Sequence, residues 1–210
     1  MTRRFVPSGS FGLVGRAAAG VVVAAAAIAT CSCTHTSGRS PYAEGAQPTQ
    51  RDPEKSRGLV AKAKEQWKKD PDSCEKLLHQ ALVADLYNGP AHNNLGVLLL
   101  QKGNLYEASA EFEWARKLMP GHPDPRVNLA LTLEKAGKTN DALESYDSAL
   151  AVYDNYLPAI EGKARLQIAS GRAGKSTVPL LDEIALRGDE QWRSWAMVWR
   201  AKLQPAATMP

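Results

Sequence analysis

Several residues of this 210-residue chain have types that could do chemistry, and their spacing decides what each can do. Cys31, Cys33 and His35 are soft donors two apart, the kind of set that could begin a zinc site, but no fourth ligand follows at a familiar spacing. His79, His92 and His122 are dispersed along the chain at no metal spacing and read as surface or helix-edge histidines. Gly171 to Ser176, GRAGKS, ends as a phosphate loop does. A phosphate loop needs a glycine well before its Gly-Lys-Ser and a strand leading in, whereas Ser170 and Ala169 stand there and no strand pattern precedes them. The segment therefore reads as a turn between helices. No serine nucleophile elbow and no HExxH occurs. No catalytic residue, metal site or cofactor is expected, and Cys74 reads as a small buried core residue.

The two early cysteines find a better use in their context. Arg3, Arg4 and Arg16 precede an uncharged run, Ala17 to Ala29, made almost wholly of Ala and Val. A cationic start followed by a short apolar stretch and small residues has the layout of a secretory signal. Thirteen helical residues reach only about 20 Å, short of a hydrocarbon core of about 30 Å, so a permanent span is the weaker reading. Thr30-Cys31-Ser32-Cys33 resembles a bacterial lipobox, in which a lipidated Cys becomes the new first residue. Cys33, preceded by Ser32, fits that pattern better than Cys31, preceded by Thr30; a cleaved signal without lipid is the alternative. Residues 1–32 are thus expected to be a lipoprotein-type signal peptide. Residues 33–54 are rich in Ser, Thr, Gly, Pro and Gln and are expected to be a flexible tether.

Charge follows from that division. The whole chain carries 26 Lys and Arg against 22 Asp and Glu. Three of the cations belong to the leader, so cleavage leaves a nearly neutral body. With no basic stripe interleaved with aromatics, nucleic acid is not an expected partner.

The elements that position everything else lie from about residue 55 onward. The chain there shows no strand-like alternation and reads as helices punctuated by Gly and Pro. Residues 89–122 and 123–156 align without gaps: Asn94 with Asn128, Leu95 with Leu129, Leu99 with Leu133, Gly103 with Gly137, Ala108 with Ala142 and Ala115 with Ala149. Gly96 pairs with Ala130 and Phe112 with Tyr146. The leucines make a buried stripe, and the small residues let helix axes approach to about 8–10 Å. The glycines end the first helix of each unit, and Pro120 ends a second helix. Weaker copies flank these at 55–88 and 157–190. In the first copy, Asp70-Pro71 supplies the turn. In the last, the gapless phase puts Ser176, Leu180 and Glu183 at the three core positions. Residues 189–203 read as a final helix with Trp192, Trp195, Trp199 and Leu203 on one face. That helix either caps the array or presents an aromatic stripe for self-association. Residues 204–210 read as a tail.

A 34-residue period with these types at these offsets resembles the tetratricopeptide repeat. The resemblance implies an all-α, right-handed superhelical solenoid of antiparallel helix pairs over 55–203, closed by a C-terminal capping helix. In the family, certain offsets of each first helix point into a concave groove. Carried over, these are Leu59, Ala63, Gln66 and Trp67, then Asn93, Val97, Leu100 and Gln101, then Val127, Leu131, Glu134 and Lys135. Asn94 and Asn128 match a family asparagine that often bonds the backbone of a bound peptide. Chaperone-tail clamps of the family need basic residues where Leu59 and Asn93 stand, so a carboxylate clamp is not expected in that groove.

The expected function is a non-enzymatic scaffold of the bacterial cell envelope that binds a protein or peptide segment in the groove. It would be exported and anchored to the membrane by lipid facing the periplasm, or else be soluble and periplasmic or secreted. An assembly factor for a pilus or secretion channel is a narrower version. A structural lipoprotein that self-associates through the three-tryptophan helix is another.

Overall fold

The computed structural model describes residues 51–204, which lie in the compact unit spanning Ser40–Pro210. The expected signal peptide, Cys31, Cys33, most of the tether and all but Gln204 of the tail lie outside the described residues. Among the described residues the secondary structure is helical throughout: α1 (Pro53–Gln66), α2 (Pro71–Ala84), α3 (Gly89–Lys102), α4 (Leu105–Leu118), α5 (Asp124–Lys135), α6 (Thr139–Val152), α7 (Leu157–Ala169), α8 (Val178–Arg187) and α9 (Glu190–Leu203). None is long and apolar enough to cross a membrane.

Local chemistry explains where the helices begin. Asp52, Asp70, Asn88 and Asp189 accept hydrogen bonds from the backbone N–H three residues on, satisfying donors that have no partner within the helix. Prolines at the first two positions of α1, α2, α3, α5, α7 and α8 lose nothing there, because those N–H groups lack helical acceptors anyway. Asp70-Pro71 is thus the cap and first residue of α2 rather than a free turn. Helix ends follow the expected glycines: Gly103 and Gly137 have φ of +84° and +75°, in the left-handed region. Pro120 stands just beyond α4, which ends at Leu118.

Successive helices pack in pairs, α1 on α2, α3 on α4, α5 on α6 and α7 on α8, with each pair resting on the next and α9 packed on α8. The core runs along the array. Cys74, Leu78, Ala81, Leu95, Ala108 and Phe112 are enclosed in its first part, Ala130, Ala142, Tyr146 and Ala149 in its middle, and Ile160, Ala164, Leu181, Ile184 and Ala196 in its last. A side chain on Gly96 would begin 2.7 Å from Phe112 Cε1, which is why that position must be bare.

Two departures from the gapless phase are informative. In the fourth pair the enclosed residues are Thr177, Leu181 and Ile184, one place later than Ser176, Leu180 and Glu183. The one-turn 3-10 helix Lys175–Thr177 takes up the extra residue before α8. In the first pair, α1 begins further from α3 than the 34-residue period, and Ser56, Val60 and Ala63 form its buried face. His92 also differs from expectation. It is enclosed, with Nε2 bonded to the Leu86 carbonyl oxygen at 2.9 Å and Nδ1 2.6 Å from Glu111 Oε2. Trp114 stacks on its ring at 5.7 Å.

Candidate functional site

The side of α3 and α5 turned away from their partner helices carries the expected groove residues. Asn93, Asn94, Val97, Leu100, Asn128, Leu131 and Glu134 are half-buried, and Gln101 and Lys135 are exposed. Asn128 Nδ2 donates to Asn93 Oδ1 at 3.0 Å, joining the two first helices by an amide bridge. Asn94 Nδ2 is enclosed without a hydrogen-bond partner among the described residues. A buried amide left so carries a desolvation cost of about 1–3 kcal/mol, which a carbonyl oxygen brought alongside would relieve.

Toward the C-terminal end the surface becomes charged. Arg165 on α7 grips Glu134 on α5 through two parallel N–H···O bonds. The hydroxyl of Tyr146, from α6, reaches the same carboxylate at 3.4 Å. The Glu134 hydrogen bond raises the Arg165 pKa, and burial followed by the Glu134 charge raises that of the Tyr146 hydroxyl well above its usual value. Glu161, one turn earlier on α7, has its pKa raised by burial and by the neighbouring Asp189 charge. A Cβ at Gly162 would fall 2.4 Å from Tyr146 Cε1, so the bare backbone there is what admits the ring.

Not every expected groove residue reaches that surface. Ala63 is 1% exposed and Val127 is 7% exposed; both are core residues. Ala63 falls inside because α1 is out of register with the 34-residue period. Val127 falls inside because an apolar side chain at that offset folds back onto Ala130 and Tyr146, where Asn93 in the preceding unit turns its amide outward. Leu59 and Trp67 are half-buried against the first core, and Gln66 closes α1. Arg165 and Glu161 were absent from the sequence-based set. They stand one period after Leu131 and Val127, so the same offset rule, carried into the divergent fourth unit, finds them.

The tryptophan stripe of α9 is occupied. Trp192, Trp195 and Trp199 are half-buried against Ile160, Leu181 and Ile184, and Trp192 and Trp195 meet edge to face. Among the described residues, no group of three or more His, Cys, Asp or Glu is placed to hold a metal ion.

A family model described as protein kinase G tetratricopeptide repeat matches residues 92–196. Solved structures share the fold. A tetratricopeptide repeat protein from Parabacteroides merdae is 20% identical, with a TM-score of 0.61 over 72% of this chain and 60% of its own. The first tetratricopeptide domain of Spaghetti (RPAP3), solved with the HSP90 peptide SRMEEVD, is 17% identical, with a TM-score of 0.56 over 59% of this chain and 98% of its own. A Thermobaculum terrenum O-GlcNAc transferase mutant is 25% identical, with a TM-score of 0.58, but the match spans only 26% of that protein. No curated protein sequence matches significantly.

Proposed function

Because the chain belongs to the protein kinase G tetratricopeptide repeat family, we propose that it is a non-enzymatic scaffold whose α3–α5–α7 face binds an extended or helical protein segment. Tetratricopeptide domains bind protein or peptide partners, and the Spaghetti domain is solved with one. The observation that carries the reading is the amide pair Asn93–Asn128, beside the unpartnered Asn94 Nδ2 and flanked by half-exposed Val97, Leu100 and Leu131. Amides offer a peptide backbone both donors and acceptors, and the leucines offer apolar area. With Asn93 where a clamp would place a cation, a terminal carboxylate is not what this face grips. Photo-crosslinking from Leu100 and from Leu131 tests it: both are expected to capture the same partner, with capture lost in an Asn94→Ala, Asn128→Ala double variant. Capture that survives those substitutions contradicts the reading.

The setting is the bacterial envelope, proposed from the sequence of residues 1–33, with a lipid on Cys33 or else Cys31 and the folded array facing the periplasm. Growth with labelled palmitate should mark the native chain and the Cys31→Ala variant but not Cys33→Ala. An unlabelled native chain removes the anchor and leaves a soluble periplasmic or secreted protein. Within that setting the narrower role is assembly of a pilus or secretion channel, tested by pull-down from solubilised envelope. Self-association through α9 is a weaker second reading, since its three indoles already pack against α7 and α8.

A further inference from the structure

The units of the array are near-copies, so a place where one is left open stands out. On the opposite side of α5 from Asn128, a cleft of about 450 Å³ runs between α4 and α6. Leu129 and Leu133 give it apolar lining, and Arg116, Arg126, Ser145 and Ser148 line it as well. One period earlier, the residues matching Arg126, Ser145 and Ser148 are His92, Glu111 and Trp114. There the histidine is enclosed against the glutamate and covered by the indole. One period later, Ile160 fills the matching place and is buried. The third unit puts a guanidinium there, with the smaller Ser145 and Ser148 where the second unit has Glu111 and Trp114.

Among the described residues no carboxylate pairs with Arg126. Its Nε donates to Ser148 Oγ at 3.0 Å and its Nη1 to the His122 carbonyl oxygen at 2.9 Å, while Nη2 has no bond among the described residues. Arg116, the nearby cation, is already paired with Glu113 at 2.6 Å. Burial, and then the Arg116 charge, lower the Arg126 pKa, the signature of a cation held without a counter-ion. The previous unit supplies a carboxylate at this point from Glu111; the third unit has Ser145 instead.

We propose that the cleft between α4 and α6 is a second binding site, in which Arg126 takes a carboxylate from a protein segment whose neighbouring apolar side chain lies on Leu129 and Leu133. An arginine fork matches a carboxylate in geometry, and the pairing is strengthened by partial burial. Asp141 and Glu144 line the same cleft and repel a polyanion, which favours a single carboxylate over a phosphate group. The site is independent of the groove on the Asn93–Asn128 side and stands whether or not that groove binds peptide.

The test uses the purified full chain and the NMR signal of the Arg126 side-chain Nε–H. The probes are the capped tetrapeptide Ala-Leu-Glu-Leu, its Gln counterpart, and inorganic phosphate. The Glu peptide is expected to shift the signal saturably and the Gln peptide at least about tenfold more weakly. Ser145→Glu places a carboxylate where the second unit has one. It should move the Arg126 signal toward its bound position without peptide and weaken peptide binding at least about tenfold. Ser148→Trp, which copies the residue of the second unit, should close the cleft with the same loss. No saturable shift, an equal response to both peptides, a stronger response to phosphate, or unchanged binding in both variants overturns the proposal.

Discussion

Gly162 and Tyr146 meet so closely that one atom decides the contact. A methyl group at Gly162 would lie 2.4 Å from the ring, and Tyr146 is itself fully enclosed. Gly162→Ala is expected to cost about 1–3 kcal/mol by overpacking, read from urea unfolding, and adding Tyr146→Leu should regain part of it. Gly58 makes the contrast: it sits in α1 with nothing within 4 Å of a would-be Cβ. Gly58→Ala should therefore stabilise by about 0.5–1 kcal/mol, since only the helix-interior penalty of glycine is removed. Asp85 gives a pH dependence. Burial pushes its carboxyl up, but the Arg51 guanidinium and the Tyr87 backbone N–H outweigh that and hold its pKa below the usual range. A folded pKa below the unfolded one contributes stability at pH values above about 3.9, and the contribution is lost as pH falls through the folded value. Unfolding followed from pH 6 to pH 2.5 should show a smaller acid-side loss in Asp85→Asn than in the native chain.

At the scale of the helix, starts are specified more strongly than ends. Asp70 accepts from the Ser73 N–H at 3.0 Å, whereas Asn104 makes no such bond at the start of α4. Asp70→Ala should cost about 1 kcal/mol and Asn104→Ala much less, measured as shifts in urea midpoint at unchanged slope. Both are residue types that cap helices; only the hydrogen bonds tell them apart. The fourth pair shows how a repeat phase misleads. Counting 34 places put Ser176 and Glu183 in the core, yet one residue inserted before α8 turns Thr177 and Ile184 inward instead. A helix face is set by rotation of about 100° per residue, so a one-residue slip exchanges core for surface.

For the described array, the ends of the solenoid need attention because each interior pair buries its faces on two neighbours and a terminal pair has one. At the C-terminal end, α9 supplies the missing cover. Ala196 is fully enclosed, and the three indoles are half-buried over Ile160, Leu181 and Ile184. Trp195→Ala and Trp199→Ala should each cost on the order of 2 kcal/mol, less than the removal of a wholly buried aromatic. Met197→Ser and Val198→Ser, on the exposed side of α9, should change thermal stability little. Should either exposed substitution instead dissociate a dimer in light scattering, the outward face of α9 rather than its tryptophans would be the self-contact.

By itself the sequence determined the all-helical tetratricopeptide fold, the glycines at helix ends, the small residues at close approaches and the tryptophan face of the last helix. Each depends on residue type at a fixed local spacing, which the chain displays directly. The family resemblance also named the half-buried amides, Asn93 by its offset and Asn94 and Asn128 as the matching asparagines. Tertiary structure alone decided which of the named residues have surface to offer. Ala63 and Val127 went inside and Glu134 was taken by Arg165, because neighbouring units set rotation and partners that no single repeat contains. The enclosure of His92 and an Arg126 that no carboxylate meets among the described residues were equally invisible beforehand: the same helical position is filled by a Glu111 and Trp114 in one unit and left open by Ser145 and Ser148 in the next. Whether a charge is met or unmet depends on what folds against it.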